Sequence, residues 1–562
     1  MTNRESAWWK QAVFYEIYPR SFLDTDGDGK GDLRGVLKKL DYLRDLGVNA
    51  VWLTPIFPSP WQDSGYDVSD YEDIDSSMGT LEDFRELIEE AHRRDLRVIL
   101  DLVINHTSDQ HAWFKASRSS RDHPKRDFYI WRPASDEAEP NNWKSLVKGS
   151  AWEWDDLTGE YYLHLFSRHQ PDLNWRNARV KESVFTMMRG WLDKGVDGFR
   201  MDVINCLMKP AGLPDARRQA GSNDRYVLDR SLYADNAGMH ELLQEMHQEV
   251  LEPYQACAIG EVHFTTKEMA SLYVDPLRKE LDMLFQTDLL FDRTGPSFIR
   301  QSIAEWYSAL HGRGWNGFCL GNHDTPRQAS ALGHDGRYRA ESAKALATLA
   351  FTVPGSPFIF QGDELGMTNV HFETLDEYRD IEMKSFFEEK VEAGEDPSRT
   401  LDLLRSRSRD NARTPMQWSS EENAGFTTGV PWIGINPNYV EVNADDQARS
   451  PDSVLQFYRR LGHFRTEHPC LVFGDYQPIP NQQADVLAYQ RSSPEESLLI
   501  LINLSSQLVP LRADFQEGWV HLLGTYPESE GHQNELRPWE ARILRNDGWA
   551  LQLGGVSVDL AT

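Results

Sequence analysis

The stretch GFRMDVI, residues 198–204, shows the pattern that decides the fold: a short apolar run with a carboxylate, Asp202, near its end. Seven further short apolar runs occur, most of them also with a carboxylate, namely AVFYEIY, AVWLTPIF, RVILDLVINH, ACAIGEV, MLFQTD, GFCLGNHD and SPFIFQGDE. Helical patterns such as LRGVLKKLDYLRDLG and LEDFRELIEEAHRRD lie between most of them. Alternating strands and helices predict a parallel sheet, and eight such units predict an α/β fold closed into a (β/α)8 barrel.

Two longer segments interrupt the predicted barrel, which we expect to occupy residues 1–106 and 176–469. The segment between them, residues 107–175, is rich in Trp, Asp and Pro and too long for a connecting loop, so it is predicted to form a small inserted domain after the third strand. A second insertion, about residues 367–450, follows the eighth run. Residues 470–562 contain the strand patterns VLAYQRSS and SLLILINLS without helices between them, which predicts a C-terminal antiparallel β-sandwich domain.

The composition argues against several classes of partner. The 562 residues carry 59 basic and 88 acidic side chains, a formal net charge of −29, which disfavours nucleic acids and anionic membranes. The chain begins without a basic stretch followed by an apolar segment, and it contains no uninterrupted apolar run of about 18 residues. Neither secretion nor a membrane span is therefore predicted.

The cysteines indicate a reducing compartment. Cys206, Cys257, Cys319 and Cys470 are widely spaced and form no CxxC pair. Three of them lie in or beside apolar runs, so we expect buried free thiols and a cytoplasmic location. The sequence leaves the oligomeric state open, and a monomer is compatible with it.

Three carboxylates, Asp202, Glu261 and Asp324, stand near the C-terminal ends of different predicted strands, where barrel enzymes carry their chemistry. Arg200 points the same way as Asp202 on an extended strand, and an adjacent arginine keeps a carboxylate ionised, which suits a nucleophile. Glu261 has no cationic partner in its own strand, so burial is expected to raise its pKa toward the range of a general acid. Two carboxylates in unequal environments are what the hydrolysis of a glycosidic bond requires.

Five ordered motifs, DLVINH, QPDLNW, GFRMDVIN, GEVH and GNHD, give these residues a family context. With them the chain resembles the α-amylase superfamily of glycosidases, and most closely its oligo-1,6-glucosidase (isomaltase) and dextran glucosidase group. The similarity runs from FYEIYPRSF to RDNARTPMQW and continues more loosely to the end. The resemblance implies a retaining mechanism in which Asp202 is the nucleophile, Glu261 the acid/base and Asp324 a stabiliser of the transition state.

The resemblance also implies a closed sugar-binding pocket. Tyr66 would stack beneath the first glucose, while Asp63 and Arg409 would grip its terminal hydroxyls and close the pocket. Phe166 would help to wall the same sugar. Hydrogen bonds to it would come from three further residues, His106, Arg200 and His323. A pocket closed at this end removes one glucose at a time from the non-reducing end of an oligosaccharide.

The stretch DTDGDGKGD, residues 24–32, places four aspartates at short intervals. As a calcium-binding helix–loop–helix it fails at the twelfth position, which is a glycine, so from the residues alone a bound cation and a solvated turn are both open. In the group that the chain resembles, this pattern holds a structural cation, here through Asp24, Asp26, Asp28, Lys30 (by its carbonyl) and Asp32. We expect Ca²⁺ rather than Mg²⁺, because the site supplies many protein oxygens, and no organic cofactor.

Bond preference depends on the residue after the nucleophile. In this group valine at that position, here Val203, is typical of enzymes that favour α-1,6 bonds, and its β-branched side chain would narrow the approach of a 4-linked glucose. Two departures from the group's pattern, His263 and Thr325, are expected to face the same leaving group. We therefore predict an exo-acting α-glucosidase for short α-1,6-linked gluco-oligosaccharides, with glucosyl transfer as a competing outcome.

Three other functions fit parts of the pattern. An α-1,4-glucosidase is disfavoured by Val203. A sucrose isomerase shares the fold but carries an RLDRD-type segment after the sixth strand, where this chain has LLFDRTG, residues 289–295. The non-enzymatic heavy chains of amino-acid transporters keep the barrel as a scaffold, but they have a membrane span and lose the catalytic carboxylates, all three of which are present here.

Overall fold

The computed structural model describes residues 7–135, 138–218, 221, 223–291, 295–479, 483–511, 519–527 and 534–546. Its centre is a closed barrel of eight parallel strands that pair in chain order, with the eighth strand beside the first. The strands are β1 (Phe14–Ile17), β2 (Ala50–Leu53), β3 (Arg97–Leu102), β4 (Gly198–Met201), β5 (Cys257–Gly260), β6 (Met283–Phe285), β7 (Asn316–Phe318) and β8 (Ser356–Phe360). Each of the eight apolar runs supplies one strand, so the predicted (β/α)8 barrel is confirmed.

Helices follow the strands and cover the outside of the barrel. The helix Leu81–His92 begins with a capping box, because the Thr80 side chain accepts the Asp83 N–H while the Asp83 carboxylate accepts the Thr80 N–H. The principal helices after the eight strands are Leu33–Lys38 with Leu40–Asp45, Leu81–His92, Ala178–Leu192, Met239–Met246, Lys267–Tyr273, Pro296–Leu310, Arg339–Thr352 and Val454–Glu467.

Alternate strand residues fill the inside of the barrel, because successive side chains of a strand point to opposite faces. Phe14 on β1 stacks on Phe358 of β8 with the ring centroids 4.4 Å apart, and Trp52 lies 5.6 Å from Phe285. Two residues beyond Phe14, the buried Glu16 begins a polar layer. This layer lies at the C-terminal ends of the strands, above an apolar plug.

Between β3 and β4 the chain leaves the barrel and forms a small lobe. The lobe contains the helix Ala112–Ser119 and a three-stranded antiparallel sheet in the order Trp131–Arg132, Glu160–Leu163, Trp152–Asp155. A bridge between His106 and Asp172 returns the chain to the end of β3. The lobe therefore stands on the C-terminal side of the barrel.

A buried ion pair ties this lobe to the barrel. Lys209 Nζ lies 2.6 Å from Asp172 Oδ2 and donates to the Asn105 side-chain carbonyl and the Cys206 main-chain carbonyl, each at 2.7 Å. Asp172 also accepts the Leu165 N–H at 2.9 Å. Both charged side chains are almost completely buried. One ammonium group thus joins the lobe, the segment after β3 and the segment after β4.

The insertion after β8 forms a second lobe beside the first. Asp380 caps its first helix by accepting the N–H groups of Glu382 and Met383. The helices of this insertion are Ile381–Glu392, Pro397–Arg407, Asp410–Arg413 and, at its end, Ala444–Arg449. The first two surround a small apolar cluster that contains Val370, Phe372, Tyr378, Leu404 and Ile433.

The described part of residues 470–562 forms antiparallel sheets, as predicted. The larger sheet has five strands in the order Asp475–Pro478, Val486–Ser492, Ser497–Asn503, Ala541–Asn546, Trp519–Gly524. A two-stranded pair, Val509–Pro510 with Glu535–Leu536, accompanies it. Strand Ser497–Asn503 is buried along its whole length, so both faces of the sheet's centre are covered.

Two buried arginines lie at the end of the helix Arg339–Thr352, and one of them, Arg491, joins the C-terminal domain to the barrel. Arg491 donates to the Thr352 carbonyl at 2.6 Å, and Arg465 donates to the Phe351 carbonyl at 2.8 Å. These carbonyls end the helix Arg339–Thr352, where the helix dipole is negative and favours a cation. Burial lowers the pKa of Arg491 to about 10 and that of Arg465 to about 9, so both remain charged at neutral pH.

All four cysteines lie within the described residues. They are buried and form no disulfide, in agreement with the sequence prediction. None of the described helices is long and apolar enough to span a bilayer.

Candidate active site

The predicted catalytic carboxylates lie together at the mouth of the barrel. Asp202 follows β4, Glu261 follows β5, and Asp324 lies in the segment after β7. Asp202 and Glu261 are buried, whereas part of the Asp324 side chain is exposed. Because the strands are parallel, their C-terminal ends meet at one rim, and residues distant in the sequence meet there.

Arg200 on β4 is the centre of this group. Its Nη1 lies 2.8 Å from Asp202 Oδ1 and 3.0 Å from Asp101 Oδ1, and its Nη2 lies 2.7 Å from Glu261 Oε2. Its guanidinium also lies 5.0 Å from the centroid of the Trp52 ring. One buried cation therefore serves three buried carboxylates.

The protonation of the two central carboxylates differs from the sequence prediction. Burial raises the pKa of Asp202 well above its usual value, with Arg200 opposing the rise and Glu261 adding to it. Burial also pushes the pKa of Glu261 upward, but Arg200 and His263 outweigh it and the pKa lies below its usual value. The sequence predicted an ionised Asp202 and a raised pKa for Glu261, and both predictions were wrong for the free protein. The reason is that Arg200 contacts Glu261, after β5, as well as Asp202. The two carboxylates titrate as a pair, and a proton bound to them belongs to both.

A second charged group surrounds Asp324. His323 Nε2 lies 3.1 Å from Asp324 Oδ2, while its Nδ1 lies 2.5 Å from Glu16 Oε1. Burial opposes the imidazolium, but the two carboxylates outweigh it and raise the pKa of His323 to about 10. Arg413 Nη2 lies 2.7 Å from Asp324 Oδ1. Although burial acts upward, His323 with Arg409 and Arg413 holds the pKa of Asp324 well below its usual value. Asp324 is therefore an ionised acceptor.

Tyr66 forms the floor between these two groups. Its hydroxyl donates to Asp101 Oδ2 at 2.8 Å, and its ring stacks on His323 with the centroids 5.2 Å apart. His106 Nε2 lies 3.2 Å from the Tyr66 carbonyl and 3.2 Å from Gln170 Nε2. Burial lowers the pKa of His106, so this imidazole is neutral.

An ion-pair network lies at one end of the site. Arg409 Nη2 is 3.3 Å from Asp63 Oδ1 and 2.8 Å from Asp380 Oδ1, and its Nη1 is 3.5 Å from Asp324 Oδ1. Gln170 Nε2 donates to Asp63 Oδ2 at 3.1 Å. Side chains from both lobes and from the barrel therefore meet at this end.

Val203 and its neighbours form a further part of the site, beside Glu261. Val203 has φ 38° and ψ 42°, a left-handed conformation that is strained for a β-branched residue. This turn directs the Val203 N–H to Glu261 Oε2, at 3.2 Å. Phe166 packs against His106 with the ring centroids 5.1 Å apart and shares an apolar cluster with Val203 and Cys206.

The two residues expected beside the leaving group differ in placement. His263 Nε2 lies 3.2 Å from Glu261 Oε1, and the side chain is partly exposed. Thr325 is buried, and its hydroxyl accepts the Asn322 N–H at 3.0 Å. This hydrogen bond stabilises the turn that contains both residues. The expectation that Thr325 faces the leaving group was therefore wrong, because its side chain is used within the GNHDT turn.

The aspartate loop, residues 24–32, lies apart from this site. Carboxylate oxygens of Asp24, Asp26 and Asp28 come within 4.8 Å of one another, a donor set that suits a calcium ion. Asp32 instead begins the helix Leu33–Lys38, where it accepts the Gly35 N–H at 2.7 Å. Lys30 Nζ lies 3.1 Å from Asp28 Oδ2. The structure thus brings three of the five predicted ligands together through their side chains.

Five residues of the site were missed in the sequence. Two of them interrupt apolar strand runs at inward-facing positions, which is a usable signal: Glu16 in AVFYEIY and Asp101 in RVILDLVINH. The other three lie outside the strands: Gln170 and Arg413 stand in the quoted segments QPDLNW and RDNARTPMQW without having been assigned a role, and no local pattern distinguishes Asp380.

Comparison with known proteins agrees with this geometry. The family described as "Alpha amylase, catalytic domain" matches residues 16–474. An oligo-1,6-glucosidase of Parageobacillus thermoglucosidasius is 46% identical over 559 residues, covering 96% of this chain and 99% of the relative. An oligo-1,6-glucosidase of Bacillus cereus is 44% identical over 558 residues, covering 96% and 100%.

Solved structures show the same architecture. A trehalulose synthase mutant in complex with Tris superposes with a TM-score of 0.91 at 44% identity, covering 96% of this chain and 100% of that one. Full-length agreement of this kind extends to both lobes and the C-terminal domain.

Proposed function

The chain belongs to the α-amylase family, and we propose that it is a retaining, exo-acting α-glucosidase that releases glucose from the non-reducing end of short α-1,6-linked gluco-oligosaccharides. Two kinds of finding support this assignment. The similar relatives named oligo-1,6-glucosidase match over nearly the whole chain. The barrel also places two buried carboxylates around one arginine, with a third beside them, as glycoside hydrolysis requires.

The first half-reaction uses the central pair. Glu261 gives a proton to the glycosidic oxygen while Asp202 attacks the anomeric carbon and forms a β-linked glycosyl-enzyme. Positive charge develops on the sugar beside Asp202 and favours the ionised form of this carboxylate, which attacks as the nucleophile. Water then attacks the glycosyl-enzyme with Glu261 as the base, and the second inversion restores the α configuration.

The charged group around Asp324 holds the same glucose. Because His323 and Arg413 keep Asp324 ionised, it accepts hydrogen bonds from sugar hydroxyls and strengthens them as the ring becomes cationic. Tyr66 offers an aromatic face to the apolar face of the ring, with His106 and Phe166 beside it.

The network around Arg409 is the observation that carries exo-action. Arg409 bridges Asp63, Asp324 and Asp380, so the wall is built from the barrel and the second lobe. A chain that extended past the first glucose would have to separate these ion pairs. The substrate therefore ends here, and one glucose is released in each cycle.

Val203 supports the α-1,6 preference. It directly follows the nucleophile Asp202, and its N–H contacts the acid/base Glu261. A branched side chain there leaves less room for a 4-linked sugar than for a more flexible 6-linked one. The difference should amount to roughly ten- to two-hundredfold in kcat/KM.

A sucrose isomerase is the second candidate, because the trehalulose synthase structure matches this chain over nearly its whole length. The sequence difference LLFDRTG argues against it. Residues 292–294 of this segment lie outside the described residues, so the contrast rests on sequence alone.

Three further features complete the proposal. A structural Ca²⁺ would be held by Asp24, Asp26 and Asp28, stabilising the loop without taking part in the reaction. The buried thiols fit a cytoplasmic enzyme. Nothing in the proposed mechanism requires more than one chain, so a monomer suffices.

Time-resolved product analysis tests the assignment. With isomaltotriose, glucose and isomaltose should appear together from the start, and isomaltose should react faster than maltose or sucrose. An early fall in the viscosity of dextran would show internal cleavage and contradict the closed pocket. Isomerised sucrose as the main product would favour the second candidate.

A further inference from the structure

Glu261 is surrounded by hydrogen-bond donors. Its Oε2 accepts from Arg200 Nη2 at 2.7 Å and from the Val203 N–H at 3.2 Å, and its Oε1 lies 3.2 Å from His263 Nε2. A guanidinium and a main-chain N–H can only donate, so Oε2 has to remain an unprotonated acceptor. Any proton carried by Glu261 is therefore on Oε1, beside His263.

Of these three partners, His263 can change its role. An imidazole nitrogen donates when protonated and accepts when it is not, and the exchange is accessible near neutral pH. When Glu261 is ionised, Nε2–H donates to Oε1; when Glu261 is protonated, the bare Nε2 accepts from it. A glutamine or an alanine at this position could not exchange a proton with Glu261.

We propose that His263 is a positioning residue that holds the acid proton of Glu261 in the free enzyme and returns it to Oε1 when substrate binds. The inference rests on the proposed role of Glu261 as acid/base. The proton balance is closed: imidazolium and carboxylate become imidazole and carboxylic acid, and the acid proton then passes to the glycosidic oxygen. In the second half-reaction the proton of the attacking water goes to Oε1 and from there to Nε2.

The position of His263 is fixed by its main chain. Asn205, which follows Val203 in the segment after β4, accepts the His263 N–H at 3.0 Å and donates to the His263 carbonyl at 2.6 Å. The Asn205 amide also donates to Asp235 at 2.9 Å. The imidazole is thus held at Glu261 while remaining partly exposed, so it connects the buried carboxylate with solvent.

The charges around the pair favour storage of the proton on the imidazole. Arg200 from β4 stabilises the ionised form of Glu261 and contributes to the lowered pKa of this carboxylate, whereas the negative charge of Asp324 acts in the opposite direction. A further cation, the Arg230 guanidinium, lies 5.0 Å from the centroid of the Phe264 ring, and Phe264 is the residue after His263. Asp235 lies behind Asn205.

The experiment compares the pH dependence of kcat/KM on isomaltose for the wild type, His263→Gln, His263→Ala and the loop control Thr265→Ala. In the wild type the basic limb reports loss of the proton shared by Glu261 and His263. Without the imidazole, Glu261 loses its proton at its own lowered pKa, so the basic limb should move to lower pH by about one unit or more. Thr265→Ala should keep the wild-type profile.

A shift of the basic limb to higher pH in the His263 variants would overturn the proposal. If His263 only stabilised the ionised Glu261, its removal would raise the pKa of Glu261 and move the basic limb to higher pH. An unchanged limb would overturn the proposal as well. Both His263 variants should keep the wild-type melting temperature, and either one alone decides the sign if the other fails to fold.

The leaving group supplies a second readout. 4-Nitrophenyl α-D-glucoside needs little protonation, so His263→Gln should retain its kcat/KM within about twofold while the value for isomaltose at pH 7 falls about tenfold or more. Equal losses on both substrates would indicate a structural role and refute proton storage. If the wild type prefers maltose or sucrose, the substrate proposal fails, but the same comparison on the preferred sugar still decides the role of His263.

Discussion

Lys209→Met should loosen the first lobe from the barrel. Methionine fills similar space but leaves Asp172, which is 0% exposed, without its cation. Removing one partner of a buried ion pair costs about 3–5 kcal/mol, because the remaining charge is uncompensated. The carbonyl groups of Asn105 and Cys206 lose a donor as well, which places the loss in the upper part of this range. At about 2 °C per kcal/mol for a large cooperative unit, the melting temperature should fall by about 8–10 °C.

Differential scanning calorimetry measures this loss, and the double variant Lys209→Met with Asp172→Asn is its matched control. The double variant carries no buried charge at the seam and should recover more than half of the lost melting temperature. A melting temperature of Lys209→Met within about 2 °C of the wild type would refute the reasoning. So would a double variant no more stable than the single one.

Three further predictions concern the site and the aspartate loop. Asp202→Asn and Glu261→Gln should each lower kcat on isomaltose by about a hundredfold or more without changing the melting temperature, and a residual rate above about a tenth would contradict the assigned roles. Val203→Thr should reduce the isomaltose-to-maltose ratio of kcat/KM, mainly by improving maltose, whereas an unchanged ratio would remove Val203 from the argument on specificity. Chelation should lower the melting temperature and added Ca²⁺ should restore it, because a ligand of the native state stabilises by mass action; metal analysis of the untreated protein separates an empty loop from a tightly held ion.

The barrel could be predicted from the sequence because it depends on local periodicity. Each buried parallel strand leaves an apolar run, and the carboxylates that end such runs have to meet at one rim. The alternation of side chains along an extended strand likewise placed Arg200 and Asp202 on the same side of their run. The side chains that complete the site could not be predicted in this way, since their partners lie far apart in the chain. Glu16 and His323, for example, meet across the closure of the barrel.

Electrostatics was the least predictable property of the site. The expectation of a raised pKa for Glu261 considered only its own strand, whereas the guanidinium that lowers it comes from the neighbouring strand. Thr325 shows a similar limit, because a short polar side chain in a tight turn satisfies its own main chain before it faces a ligand. The pKa of Glu261 and the orientation of Thr325 were both mispredicted because each depends on contacts that form only in the folded chain.

The two arginines at the end of the helix Arg339–Thr352 limit how many residues can be removed from the C-terminus of the protein. The family match ends at residue 474, before Arg491, so a fragment cut at that point would look complete by sequence alone. It would nevertheless leave the buried Thr352 carbonyl without its donor and expose the barrel surface beneath the strand Val486–Ser492. The C-terminal sheet is thus a structural part of the catalyst, and an active truncation has to extend past Arg491.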